Sequence, residues 1–198
     1  MASKLFVKNC FLNSLTETIF AKSTMPTTIE TPAFQEVQPI GWSKPTVEEF
    51  ASMLAEKVQF EPGGNIENVV QKLGGEIIYQ HSNEWFDSEN GSIEIHAPKR
   101  FRIHLSNFTS HLRDRFTIAH ELGHYVIHSQ FGKIPAKIAR HGSNRIEWEA
   151  NWFAAGFLMP EASFKKAWRS QKNIFEVAAQ FNVSLQAAEV RRQSLGLV

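Results

Sequence analysis

Along the chain, apolar and polar positions fall into two periods. Val47, Phe50, Ala51, Leu54 and Val58 recur at helical spacing and predict an amphipathic helix over 46–59. Pro62-Gly63-Gly64 breaks it, and Ile66, Val69, Val70 and Leu73 predict a second, shorter helix. Asn65 is placed to cap that helix and Gly74-Gly75 to stop it. The period then changes to two. Residues 76–79 read as a strand, and Ser92–His96 and Phe101–Leu105 alternate on either side of a Pro98-Lys99 turn, as a hairpin with one covered face. Helical spacing returns at about 111–130, where Leu112, Phe116, Ala119, Gly123 and Ile127 form a stripe widened by Ile118, Leu122 and Val126. A helix over 145–158 follows, closed by Pro160, and three shorter ones are predicted over 162–170, 174–181 and 185–193. The hairpin is predicted to offer an exposed edge to an extended peptide.

Residues 1–25 show only short apolar clumps, not the unbroken core of about 7–15 residues that a secretory signal needs. They read as a flexible or locally helical extension, or as sequence upstream of a true start at Met25. Pro26, Pro32, Pro39 and Pro45 make the next stretch a linker or extended strap. The expected organisation is therefore a flexible or extended segment 1–43, a folded domain 44–160 and a C-terminal helical hairpin 161–198 packed on the core.

Composition narrows the function classes. A formal net charge of +1 argues against binding nucleic acid by bulk charge. A single cysteine, Cys10, excludes an internal disulfide and fits a reducing, cytoplasmic setting. No apolar run approaches the ~18 residues of a membrane span.

The chemistry sits in His120-Glu121-Leu122-Gly123-His124, an H-E-x-x-H pattern inside the long predicted helix. Residues i and i+4 are neighbours on one helix face, so both imidazoles can meet one ion. Glu121, about 100° round the helix, can reach a water on that ion without ligating it. Chance would supply roughly 0.03 such patterns in a chain of this composition. A catalytic zinc takes three protein ligands. The metzincin spacing fails, since Ile127 and Gln130 stand where Gly and His are required. The third ligand is then sought on the next helix, where Glu147 and Glu149 are both available. Asn144-x-x-Glu147 also has the form of a capping box, which would compete for Glu147. Asn151, one turn after Glu147, can hold a ligand's far nitrogen or carboxylate. His128 is a turn too far to share the ion and reads as a polar partner or packed histidine. His104 and His141 are the other histidines with a path to the site, or else plain surface residues.

Residues 115–128 (Arg-Phe-Thr-Ile-Ala-His-Glu-Leu-Gly-His-Tyr-Val-Ile-His) and 147–160 (Glu-x-Glu-Ala-Asn-x-Phe-Ala-Ala-x-Phe-Leu-Met-Pro) resemble the two signatures of the ImmA/IrrE family of metallopeptidases. The resemblance covers about residues 45–197. It implies an α+β, zincin-like fold: a small three-stranded antiparallel or mixed sheet packed beside the HExxH helix, with further helices C-terminal. It implies Zn2+ held by His120, His124 and Glu147, with Glu121 as general base. It further implies a zinc metallopeptidase, a hydrolase of peptide bonds, whose protein substrate is a helix-turn-helix repressor. The alternative is a metal-containing binding or sensing module that antagonises a transcription factor without cutting it. Residues 178–192 also resemble a helix-turn-helix, and six basic residues against two acidic ones lie between Lys165 and Val198. The would-be reading helix, however, offers few base-edge donors, so direct DNA binding is disfavoured.

Overall fold

A computed structural model describes residues 33–80, 92–139 and 144–198 of the chain. Most of the N-terminal extension, residues 81–91 and His141 lie outside them.

Helix α1 (Lys44–Lys57) starts with Pro45 in its first turn and buries Val47, Phe50, Ala51, Leu54 and Ala55. Short helix α2 (Glu67–Lys72) follows, with the Asn65 carboxamide accepting from the Asn68 N–H at 2.9 Å. Three strands come next: β1 (Gly75–Gln80), β2 (Ser92–Ala97) and β3 (Arg100–Ser106). Helix α3 (His111–Gly123), capped by the Ser110 hydroxyl, runs into one π-helical turn, His124–His128. Strand β4 (Ala136–Ala139), helix α4 (Arg145–Leu158) and helices α5 (Glu161–Gln171), α6 (Ile174–Phe181) and α7 (Leu185–Ser194) complete the order. The fold class is thus α+β, as expected.

The sheet has four strands in the order β1-β3-β2-β4, not three. β1 runs parallel to β3, and the other two pairings are antiparallel, so the sheet is mixed. The added strand is only Ala136-Lys137-Ile138-Ala139, too short to show a period by itself. Its presence corrects a second expectation. The hairpin strands β2 and β3 are both interior, and the sheet edges belong to β1 and β4.

Ile93, Ile95, Phe101, Ile103 and Leu105 turn one face of the sheet inward and join the core with Ile118, Leu122 and Val126 of the long helix. Tyr125 stacks on Phe101 with ring centroids 4.0 Å apart, and its hydroxyl accepts from the Lys99 N–H in the hairpin turn. The helical layer is knit by close backbone approaches. A Cβ at Gly156 on α4 would sit 2.6 Å from the Glu48 Cα on α1, and one at Gly123 on α3 would sit 3.2 Å from the Ala150 Cα on α4. Glycine is needed at Gly156 for lack of room, whereas a side chain at Gly123 would make its neighbours give by a few tenths of an ångström. The C-terminal helices bury Phe164, Val177, Phe181 and Ala188 in the same core. Buried Arg115 of α3 ties them down, donating to the Asn182 carbonyl at 2.9 Å and to the Gly64 carbonyl at 2.7 Å. Among the described residues no helix is long and apolar enough to cross a membrane.

Because the atom facing Gly156 is backbone, a side chain there must push α1 off α4. Gly156→Ala is expected to lower unfolding stability by about 1–3 kcal/mol, read as a fall in the urea midpoint at unchanged slope.

Candidate metal centre

His120 lies on α3 and His124, one turn on, opens the π-helical turn that continues it; both are fully buried. Glu147 reaches them from the first turn of α4. The Asn144 carboxamide accepts from the Glu147 N–H at 3.1 Å, so the cap that the sequence suggests is formed on its Asn144 side. That contact uses the backbone of Glu147 and leaves its carboxylate free to turn inward. The feared conflict between cap and ligand does not arise.

The three side chains converge. The two histidine Nε2 atoms are 3.1 Å apart. Glu147 Oε2 lies 3.1 Å from His120 Nε2, and Oε1 lies 3.5 Å from His124 Nε2. Among the described residues this is the one group of three or more His, Cys, Asp or Glu close enough to share an ion. Ligands held about 2.0–2.1 Å from a tetrahedral zinc stand roughly 3.3 Å from one another, so the spacings match a divalent cation at their centre. The donor set, two imidazoles and one carboxylate, suits the same group of metals. The group can therefore hold a metal.

The far sides of the imidazoles are held as well. His120 Nδ1 lies 2.9 Å from the Asn151 Oδ1, the partner anticipated from its spacing to Glu147. His124 Nδ1 lies 3.0 Å from His128 Nδ1, and His128 Nε2 lies 3.2 Å from Glu149 Oε2. Once Nε2 of His120 and of His124 faces a cation, each Nδ1 must carry the proton. His120 then donates to Asn151, His124 donates to His128, and His128 donates to Glu149. His128 is thus a polar partner of a candidate ligand.

Glu149, the other candidate for third ligand, stands on the opposite side of this chain from Glu147. It is fully buried and acts as the anchor. Its Oε2 accepts from the Ile40 N–H and its Oε1 from the Gly41 N–H, each at 2.9 Å, and the Arg145 Nε donates to Oε1 at 2.9 Å. Arg145 also donates to the Trp42 carbonyl. The extended stretch 33–43 is therefore a strap whose backbone closes the outer end of the network. Sequence reasoning missed the parts played by Arg145 and by Ile40 and Gly41. A backbone N–H leaves no trace in a residue pattern. A charged Glu149 among Ala150, Phe153 and Ala154 was the available signal, since such a group must be compensated when buried.

Burial and charge set the protonation of the centre. Burial is the main cause holding the His124 pKa down, to about 3, against the opposing hydrogen bond to Glu147. Burial pushes the Glu147 carboxyl up, but hydrogen bonds with His120 and His124 outweigh it and hold the group well below the usual carboxylate range. Both groups therefore stay in the protonation states a cation needs. Glu121 is buried beside His120. His104 does not approach the centre. It stands on the outer face of the sheet, 3.7 Å from Glu94, because residues of even number on β3 point away from α3.

These features define a zincin-like α+β protein with a buried His-His-Glu group on an HExxH helix and its successor. The sequence profile of the IrrE N-terminal-like domain, peptidase family M78, matches residues 73–192, and the chain belongs to that family. The family points to a metallopeptidase. No curated protein matches the chain. A solved structure of a Mycobacterium tuberculosis transcriptional regulator has a similar fold, with a TM-score of 0.50 and 15% identity. The likeness covers 75% of this chain and 46% of that one, so this chain spans less than half of the regulator's length.

Two measurements follow from the network. Glu149→Gln or His128→Ala is expected to weaken metal affinity about 10–100-fold, seen by competition with a chromogenic chelator. Protonation gives the second. The unfolded chain takes up a proton at His124 below pH 6.5, while the folded one refuses it down to about pH 3. Metal-stripped protein should therefore lose stability as pH falls through that window, by about 1.4 kcal/mol per unit for this group. Glu147, lowered from 4.5, adds to the loss at the acid end. Urea midpoints independent of pH between 6.5 and 4 would contradict the His124 assignment.

Proposed function

We propose that this chain is a zinc-dependent endopeptidase whose substrate is a protein, a helix-turn-helix transcriptional repressor of the cytoplasm being the class suggested by the resemblance. The observation that carries this reading is the convergence of His120, His124 and Glu147 with Glu121 buried on the same helix. The family match and a fold shared with a transcriptional regulator support it.

A divalent cation held there supplies Lewis-acid polarisation of a peptide carbonyl and acidifies water. The remaining work belongs to the chain. His120 and His124 present Nε2 because Asn151 and His128 occupy their Nδ1 atoms. Glu147 contributes the negative charge that balances the ion. The Glu121 carboxylate takes the proton from the attacking water and returns it to the departing amine nitrogen. Low exposure of all four residues excludes bulk water, which strengthens each of these interactions.

A non-cutting module that sequesters a transcription factor is the second reading. The burial that protects the centre also restricts access to it, and this favours that alternative. Direct DNA binding through the C-terminal arginines draws no support. Arg191 is buried, pairing with Glu48 at 2.7 Å and donating to the Met159 carbonyl. Arg192 is held by Glu189, the Leu197 carbonyl and the ring of Trp168.

The test pairs the metal-loaded protein with a helix-turn-helix repressor encoded beside it and reads products by mass spectrometry. The wild type should generate fragments. Glu121→Gln, at equal metal content by elemental analysis, should cut at least about 100-fold more slowly. An intact repressor in a stable, metal-dependent complex would favour the non-cutting module instead.

A further inference from the structure

The helix face that carries the two imidazoles continues beyond them. Leu112 and Phe116 precede His120 and His124 in the same four-residue step, about 6 Å per turn. On α4 the step from Glu147 leads through Asn151 to Ala155. Alongside these two rows lies an open cavity of about 800 Å³, flanked on its other sides by α1 and α7. Asn151 belongs to both places: it lines the cavity and touches His120. The cavity is thus an extension of the candidate centre along α3 and α4.

Its walls have a definite chemistry. Phe116 and Trp152 give an aromatic surface, and the Arg145 guanidinium lies 4.7 Å over the Trp152 ring. Val190, 59% exposed, forms an apolar lip. Three cations, Lys44, Arg113 and Arg191, share the lining with one carboxylate, Glu48. Glu48 is committed to Arg191 at 2.7 Å, with Lys44 at 3.7 Å. The Arg191 side chain is 1% exposed, and its Nη2 has no hydrogen-bond partner among the described residues. Paired with Glu48 and shut off from solvent, it adds no free charge, which leaves Lys44 and Arg113 as the lining cations within reach of solvent. Volumes of this order hold several side chains.

Resting on the peptidase reading, we infer that this cavity is the specificity pocket of the centre, and that it selects substrate segments in which a bulky apolar side chain stands beside acidic ones. The apolar group packs on Phe116 and Trp152. The carboxylates face Lys44 and Arg113. A segment seated there runs along the α3 face toward His120.

Three short fluorescein-labelled peptides of equal length test this: Phe flanked by Glu, Phe flanked by Lys, and Ser flanked by Glu. Binding is read by fluorescence polarisation with metal-loaded Glu121→Gln, and turnover as kcat/KM with the wild type. The Glu-Phe peptide should bind about tenfold tighter than either of the others. Adding Arg113→Glu should abolish the preference between the two charged Phe peptides, because the new carboxylate offsets Lys44. Arg113 is exposed on the first turn of α3, so that variant should keep its fold, verified by circular dichroism. If the binding order holds and nothing is cut, the pocket stands and the peptidase reading falls. If all three peptides are cut with equal kcat/KM, or Arg113→Glu leaves that preference unchanged, the pocket falls and the peptidase reading is untouched. Neither binding nor cleavage of any of the three would overturn both.

Discussion

The structure depends on how closely α3 and α4 approach each other. At Gly123 the gap leaves room for a hydrogen and little more, with the Ala150 Cα and the Phe153 side chain on the far side. That contact lets a carboxylate at the start of one helix reach the two imidazoles facing it. A larger residue at Gly123 would widen the interface by tenths of an ångström, and hydrogen bonds and coordination lengths tolerate little of that. Glycine here keeps the two helices close, and it sits between the two histidines.

The second constraint is the expense of burying charge. Glu121, Glu147, Glu149 and three histidines lie almost wholly out of water. Such groups persist only when each is matched. Glu147 is met by His120 and His124. Glu149 is met by His128, Arg145 and two backbone N–H groups of the strap. The result is a continuous polar chain from residues 40–41 through Glu149, His128 and His124 to the place where a cation fits. Each link fixes the proton of the next, so the nitrogen that would face an ion is decided several residues away. The strap is part of the centre in this sense, although it supplies no ligand.

Much of this organisation was legible in residue order. The periods identified the helices, the His120–His124 spacing marked one face, and the i, i+4 relation of Glu147 and Asn151 anticipated that both would face the same histidine pair. The short strand β4 was not legible, because four residues carry no period. Its absence from the expected sheet led to the wrong edge being assigned to β2 and β3. His104 was given a path to the centre because it ends a strand leading into α3, but strand alternation points it to the opposite face.

Local chemistry along the chain therefore determined which residue types could take part: two imidazoles one helical turn apart, a carboxylate on the next helix, and caps and breaks that place the helices. Only tertiary packing decided which of Glu147 and Glu149 stands beside the two imidazoles. Both sit in the same turn of α4, one facing α3 and the other the strap, and their roles are separated by about 200° of rotation about the helix axis. Residue spacing gives that difference in angle. The direction of zero is set by what the helix packs against, and this depends on glycines, on a distant strap and on a core assembled from the whole chain.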